Sequence, residues 1–168
     1  MSETKWLTDD EQRIWRDFSA AVGMLREHLE RQLQSDSGLP HAYYEVLVAL
    51  SESPERTMRM SELALASRSS RSRLSHAVAR LESNGWVRRT SCPDDKRGAF
   101  AHLTPSGMAV LEAAAPGHVE AVREYLFDTL TPEQVAALGE ISAAIRGKLT
   151  PRCEAAAKAE AEAGGGGC

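Results

Sequence analysis

The 168-residue sequence has few aromatic residues, three cysteines and no long apolar run. Aromatic residues make up 5% of the chain, whereas helix formers such as Ala, Leu, Glu and Arg are frequent, which favours a mainly helical protein. Cys92, Cys153 and Cys168 are far apart and odd in number, so they match neither a disulfide framework nor a zinc site. No segment approaches the roughly 20 apolar residues of a membrane helix, and no signal peptide is recognisable. We therefore expect a cytoplasmic protein with no membrane partner.

The sequence also lacks the motifs that mark common classes of enzyme. It contains no His-Glu-x-x-His, no Gly-x-Ser-x-Gly, no phosphate-binding loop and no Cys/His pair at a useful spacing. These absences predict a protein that is not an enzyme and that carries no cofactor and no metal. Metal sensing through scattered histidines stays open as an alternative. The five histidines are His28, His41, His76, His102 and His118.

Charge is distributed unevenly along the chain, whose net charge is −4. Residues 56–97 contain ten Lys/Arg and four Asp/Glu, a net charge of +6, and the remaining residues carry −10. A concentrated basic segment within an acidic chain is typical of a surface that binds phosphates. A solvated basic face with no partner is the alternative interpretation.

Both ends of the sequence predict amphipathic helices. A capping box at Thr8–Glu11 starts the first helix, whose apolar residues recur at helical spacing until Gly38 ends it. Thr104 starts another helix, which Pro116 should kink or break, and a second capping box at Thr131–Gln134 starts the last one. These apolar stripes are too long to be buried on one small domain, so a second copy of the chain is a candidate to cover them.

The middle of the sequence predicts a winged helix-turn-helix. A helix from about Ser70 to Asn84 is apolar at Leu74, Val78 and Leu81, while its other faces are basic and rich in hydroxyl groups. Two short strands follow at residues 86–90 and 99–103, and a charged segment between them predicts a hairpin, or wing. The expected fold class is therefore mainly α with a small β-hairpin.

Several side chains of this segment suit double-stranded DNA. A helix fits the major groove, where arginine near the helix N-terminus pairs with guanine through two hydrogen bonds. Basic residues at the hairpin tip suit a narrow minor groove, in which negative potential is concentrated. Asp95, which phosphate repels, would hold Arg97 in position or simply shape the turn. The predicted DNA-binding residues are Ser70, Arg71, Ser72, Arg73, His76, Arg80, Asp95, Lys96 and Arg97.

Segments of this region together match a known family. They are Met60–Ala64, Ser70–Leu74 and Arg80–Arg89, and most specifically Asp95–Gly98 followed by the Leu-Thr-x-x-Gly run at Leu103–Gly107. In these segments the chain resembles the multiple antibiotic resistance regulator (MarR) family, over about residues 6–149. The chain departs from many members at residue 92, where a cysteine replaces an acidic residue before the proline.

The resemblance implies an obligate homodimer whose N- and C-terminal helices intertwine. Two recognition helices would then lie about one DNA turn apart on a near-palindromic operator. The implied domains are an N-terminal dimerisation helix (6–38), a winged helix-turn-helix DNA-binding domain (40–104), C-terminal dimerisation helices (105–149) and a low-complexity tail (150–168). The resemblance also implies a transcriptional repressor that a small phenolic or other anionic aromatic effector releases from DNA.

Candidates for binding such an effector lie at the junction of the first two helices. They are aromatic or imidazole side chains that could line a cleft there: Trp15, Phe18, His41, Tyr43 and Tyr44. The alternative is that all five are core or dimer contacts.

Two other functions are compatible with this sequence. A reactive thiol at Cys92 in the wing would make the regulator redox-responsive, whereas a passive cysteine there would not. A winged helix can instead bind proteins alone, although a helix rich in serine and arginine argues against it. Steep weakening of DNA binding with rising salt would distinguish a DNA-binding protein from a protein-interaction module.

Overall fold

The structure is a computed structural model that describes residues 3–91 and 98–149. It is mostly helical with one small antiparallel sheet, as the sequence predicts. Short 3₁₀ turns occupy Pro54–Arg56 and Phe127–Thr129. In chain order, the helices and strands are α1 (Asp9–Ser37), α2 (His41–Ser51), β1 (Thr57–Arg59), α3 (Met60–Ala66), α4 (Arg71–Ser83), β2 (Val87–Ser91), β3 (Ala99–Leu103), α5 (Pro105–Tyr125) and α6 (Pro132–Leu149).

Helix α1 begins and ends where its capping residues predict. The Thr8 side chain accepts a hydrogen bond from the Glu11 N–H at 3.2 Å, and the Glu11 carboxylate accepts one from the Thr8 N–H at 2.8 Å. Gly38 ends the helix in the left-handed region, with φ of 63°. The buried residues of α1 are Leu29 and Leu33, both in its C-terminal half.

Helices α2, α3 and α4 pack around one hydrophobic core, to which the sheet also contributes. Full burial of a leucine or valine side chain stabilises the fold by about 1.5–3 kcal/mol. This packing holds α4 by its apolar side and leaves its other side in solvent. The most deeply buried residues of the three helices are Val46, Leu47, Leu50, Leu63, Leu74, Val78 and Leu81.

A third strand joins the predicted hairpin. The strand order is β1-β3-β2, and β3 pairs in antiparallel fashion with both neighbours. The sequence predicts β2 and β3 but not β1, because three residues are too few to show an alternating pattern. Strand β1 runs directly into α3, so the wing sheet is continuous with the helix-turn-helix.

The Leu-Thr-x-x-Gly run closes the junction between the wing and α5. The Thr104 and Ser106 hydroxyls both donate to the carbonyl of Gly85, at 2.7 Å and 2.8 Å. Gly107 lies so close to the Trp86 backbone that a Cβ there would collide with the Trp86 carbonyl oxygen. This close approach accounts for the glycine at position 107.

Helix α5 runs from Pro105 to Tyr125 and continues past Pro116. Of the predicted kink or break at this proline, the break does not occur. It packs along α1, and its buried residues include Leu111, Ala114 and Ala121. Near its end, Tyr125 lies against the His28 ring of α1, with ring centroids 3.8 Å apart.

In the described part of the chain, residues 126–149 belong to a second compact unit. The predicted capping box is present in it, because the Thr131 N–H donates to the Gln134 side chain at 2.9 Å and the Gln134 N–H donates back at 3.3 Å. In the described part of the chain, α6 buries none of its side chains. The division into dimerisation and DNA-binding domains stays a prediction, and the predicted tail at 150–168 lies outside the described residues.

Candidate nucleic-acid interface

Helix α4 has a buried side and an exposed side. Leu74, Ala77, Val78 and Leu81 are buried, as the helical spacing predicts for three of them. The side chains between them point into solvent and are mainly cationic or hydroxylic. The basic face of α4, as we name it, consists of exposed residues that the sequence predicts to bind DNA: Arg71, Ser72, Arg73, His76 and Arg80.

The start of α4 favours an anionic partner. The Ser70 hydroxyl accepts a hydrogen bond from the Arg73 N–H at 3.3 Å and so caps the helix. The first turn of α4, which the structure describes in full, contains no acidic side chain. The partial positive charge of a helix N-terminus therefore adds to the charges of Arg71 and Arg73.

A tight turn joins α3 to α4 and sets the position of the basic face. Ser67 is buried and its hydroxyl donates to the Leu63 carbonyl at 2.7 Å, while the Ser69 N–H donates to the Ala64 carbonyl at 2.9 Å. Arg68 between them has φ of 49°, in the left-handed region that non-glycine residues seldom occupy. The surrounding hydrogen bonds hold this residue in its unfavourable conformation.

An ion pair connects α4 to the wing. The Arg89 guanidinium on β2 donates to the Glu82 carboxylate at 2.6 Å and 2.8 Å, and the Arg89 N–H donates to it at 3.1 Å. These hydrogen bonds and the guanidinium charge hold the pKa of Glu82 below its ordinary value. This pair is not predictable from the sequence, because its members are seven positions apart across a turn and no periodic pattern joins them.

The wing sheet has further cations on the side away from the core. Arg88 is exposed on β2, and the Arg59 guanidinium on β1 lies 5.2 Å from the centre of the Phe100 ring. The predicted wing-tip residues Asp95, Lys96 and Arg97, and Cys92 beside them, lie outside the described residues. Their roles stay predictions.

A cavity of about 560 Å³ opens between α2, β1, the α3–α4 turn and α5. His41 and Tyr44 line it, together with His118 of α5, whose ring lies 5.6 Å and 4.5 Å from theirs. Burial lowers the pKa of His118, as does the nearby His41, and burial raises the pKa of Tyr44. The cavity also borders Arg68, so it reaches the turn that positions α4.

The other candidate effector residues lie elsewhere in the fold. Trp15 and Phe18 are exposed on the N-terminal half of α1, with ring centroids 6.5 Å apart. Tyr43 is half-buried and packs against the hydrophobic core. His118 is one of the scattered histidines of the sequence, and its place beside His41 and Tyr44 is not predictable, because more than seventy positions separate it from them.

Residues 3–91 and 98–149 contain no group of three or more His, Cys, Asp or Glu side chains arranged to hold a metal ion. Within the same residues, no helix has the length and apolar character needed to cross a membrane.

Comparisons with known proteins identify the family. The MarR family profile matches residues 37–98. Among solved structures, the chain is similar to Sco3205, a MarR family transcriptional regulator from Streptomyces coelicolor in complex with DNA, with 57% identity, a TM-score of 0.85 and coverage of 89% of this chain and 94% of that one. It is also similar to AbsC, a MarR family transcriptional regulator of the same organism, with 44% identity and a TM-score of 0.78. That match covers 86% of this chain and 99% of AbsC.

Curated relatives agree with these structures. The transcriptional regulator HosA of Escherichia coli O111:H- is 32% identical over 93 residues, which are 55% of this chain and 67% of HosA. On the strength of these matches and of the winged helix-turn-helix that the structure shows, the chain belongs to the MarR family of transcriptional regulators.

Proposed function

We propose that this protein regulates transcription by binding double-stranded DNA through the basic face of α4. The observation that carries the proposal is the arrangement of Arg71, Arg73 and Arg80 on the exposed side of a helix whose other side is anchored in the core. A helix held in this way can enter a major groove with its N-terminal arginines leading. The structure of Sco3205 in complex with DNA, at 57% identity, supports the same proposal.

The proposed DNA site is a near-palindromic operator bound by a homodimer. Apolar side chains that one copy of the chain leaves in solvent support the dimer, because so much exposed apolar surface marks an interface. The wing-tip residues Asp95, Lys96 and Arg97 would add minor-groove contacts. The exposed apolar residues are Ile14, Trp15, Phe18 and Val22 on α1, Val119 on α5, and Ile141 and Ile145 on α6.

We further propose that the protein represses its target genes and that a small anionic aromatic effector releases it. The cavity beside His41, Tyr44 and His118 supports this proposal, because its volume fits a small aromatic molecule. Its lining includes the carboxylates of Glu45 and Glu52, so the Arg68 guanidinium is the group that would bind the anion. A ligand there would touch the α3–α4 turn and so act on the position of the basic face.

Selection of bound fragments from genomic DNA, followed by affinity measurements on the selected site, tests the main proposal. Arg71→Ala and Arg73→Ala should each lose about 1–3 kcal/mol of discrimination between the selected site and random DNA. Arg31→Ala on α1, which removes the same charge away from α4, is the control and should keep the discrimination. Binding that does not weaken with salt would favour a protein-interaction module instead.

Titration with benzoate, a simple anionic aromatic molecule, tests the effector site. If the cavity binds it, His41→Ala and Tyr44→Ala should weaken binding, whereas Trp15→Ala and Phe18→Ala should not. The reverse result would move the effector site to the exposed half of α1.

A further inference from the structure

A chain of side-chain hydrogen bonds, which we call the polar relay, crosses all three strands of the wing sheet, β1, β3 and β2. His102 lies on the central strand β3, paired with Thr57 of β1 and Arg88 of β2. Its Nδ1 atom is 2.9 Å from the Thr57 hydroxyl and its Nε2 atom is 2.7 Å from the Thr90 hydroxyl on β2. One half-buried imidazole therefore bridges both outer strands, in addition to the backbone ladder.

The direction of the relay follows from its last acceptor. The Thr57 hydroxyl lies 3.1 Å from the Glu55 carbonyl oxygen, which can only accept, so its single hydrogen is donated there. Thr57 must then accept a hydrogen bond from His102 Nδ1–H. A neutral imidazole has one N–H, so Nε2 accepts the hydrogen of the Thr90 hydroxyl. All the hydrogen bonds are satisfied in one direction, from Thr90 through His102 and Thr57 to Glu55.

The charges around His102 favour the same neutral form. Partial burial lowers the pKa of His102, and the positive charge of Arg88 on the neighbouring strand lowers it further. On its own strand, His102 has Phe100 as a neighbour with ring centroids 6.5 Å apart, and the Arg59 guanidinium of β1 lies over that ring. The cations that face this part of the sheet therefore come from both outer strands.

The relay connects the two parts of the fold that our proposed function brings to DNA. Strand β1 has three residues at the sheet edge, so few backbone hydrogen bonds hold it, and it continues directly into α3. Strand β2 follows α4 and carries Arg88 and Arg89. A side-chain bridge between β1 and β2 fixes the wing sheet against the helix-turn-helix.

We propose that His102, as the neutral Nδ1–H tautomer, is a positioning residue for DNA recognition, holding β1 and β2 at the spacing in which the wing and α4 contact one DNA molecule together. The proposal rests on the proposed function, because it assigns the relay a role in DNA binding.

Two measurements on the full chain test it. The first is NMR of the DNA-free protein labelled with ¹⁵N-histidine, in which the His102 nitrogens should report Nδ1–H and an unprotonated Nε2 at pH 7. The second is the affinity for the selected DNA site. Thr90→Val and His102→Phe should each weaken binding by about threefold to tenfold, the usual effect of one net hydrogen bond.

Matched variants separate positioning from general damage. Thr90→Ser keeps the hydroxyl and should bind as the wild type does, and Thr129→Val, which removes a hydroxyl outside the wing, should do the same. In the His102→Phe background, Thr90→Val should cause no further loss, because the two residues act through one relay. Thermal unfolding of each variant confirms that it is folded.

The outcomes distinguish this proposal from the proposed function. An Nε2–H tautomer in a wild-type protein that binds DNA overturns the relay and leaves the proposed function intact. Full DNA affinity of Thr90→Val and His102→Phe overturns the positioning role. A wild-type protein with the Nδ1–H signal that binds no DNA supports the relay and overturns the function proposed for the chain.

Discussion

At the residue scale, Gly107 occupies a position in which the fold leaves no room for a side chain. A Cβ at this position would collide with the Trp86 carbonyl oxygen and lie 2.9 Å from the Leu103 side chain. Gly107→Ala should therefore lower the free energy of unfolding by about 1–3 kcal/mol, because backbone and core must shift. Urea denaturation measures this loss. Gly147→Ala, at a helical glycine with open space around it, is the control and should change stability by less than about 1 kcal/mol.

We expect two histidines of the fold to make its stability depend on pH. Burial lowers the pKa of both His118 and His102, and a nearby positive group adds to the effect in each case. The unfolded chain, with ordinary values near 6.5, takes up protons before the folded chain does. The free energy of unfolding should therefore be highest above about pH 6.5 and fall as the pH drops through the lowered values of the folded chain.

Denaturation at several pH values between 7.5 and 5 measures this trend. His118→Phe should reduce the pH dependence over that range relative to the wild-type protein. If the His118→Phe variant and the wild-type protein had the same pH dependence, His118 would not be a source of it.

At the element scale, the Glu82–Arg89 ion pair links α4 directly to β2. Both side chains are more than a third exposed, so solvent screens the pair, and we expect a coupling energy of about 0.5–1 kcal/mol in a double-mutant cycle of Glu82→Gln and Arg89→Gln. The Asp10–Arg13 pair, at 3.1 Å but far more exposed, is the control and should couple by less than about 0.5 kcal/mol.

Acid should weaken the Glu82–Arg89 link in a separate pH range. Because the pKa of Glu82 is below its ordinary value of 4.5 in the folded chain, the pair contributes fully above that value and is lost as the pH falls through the lowered one. The histidine effects begin at higher pH, below the ordinary histidine value of 6.5, so the onset of each contribution can be measured separately.

The elements differ in how well the sequence predicts them. Caps such as Thr8 and Gly38 act within a few residues, so local sequence is enough to place the ends of α1. Strand β1 is paired with residues more than forty positions away, and its three residues carry no pattern of their own. Its presence depends on β3, which no local rule can show.

The candidate site divides in the same way. The helical spacing of Leu74, Val78 and Leu81 is enough to predict which side of α4 is exposed. The partners of the polar side chains in the site are not predictable. Glu82 contacts Arg89, and His102 contacts Thr57, only after the sheet has formed.

At the scale of the whole molecule, the exposed apolar side chains of α1 and α6 predict that isolated chains associate. Ile14→Glu should convert the dimer to a monomer in sedimentation experiments, because a carboxylate would be buried at the interface without a partner. Ala20→Glu introduces the same group at an exposed position of α1 away from its apolar side chains and should leave the dimer intact. A dimer that survives Ile14→Glu would place the interface elsewhere.

The ion pair at Arg89 also changes how strongly DNA binding is expected to depend on salt concentration, compared with the dependence predicted from the number of basic residues. Each phosphate that a protein neutralises releases condensed counterions and steepens the fall of log K with log salt by about 0.9. An arginine already neutralised by Glu82 releases none unless it leaves its carboxylate, so Arg89 should not add to this slope. The salt dependence of binding should thus be shallower than the ten cations of residues 56–97 imply, and Glu82→Gln should make it steeper by freeing one more cation for the DNA backbone.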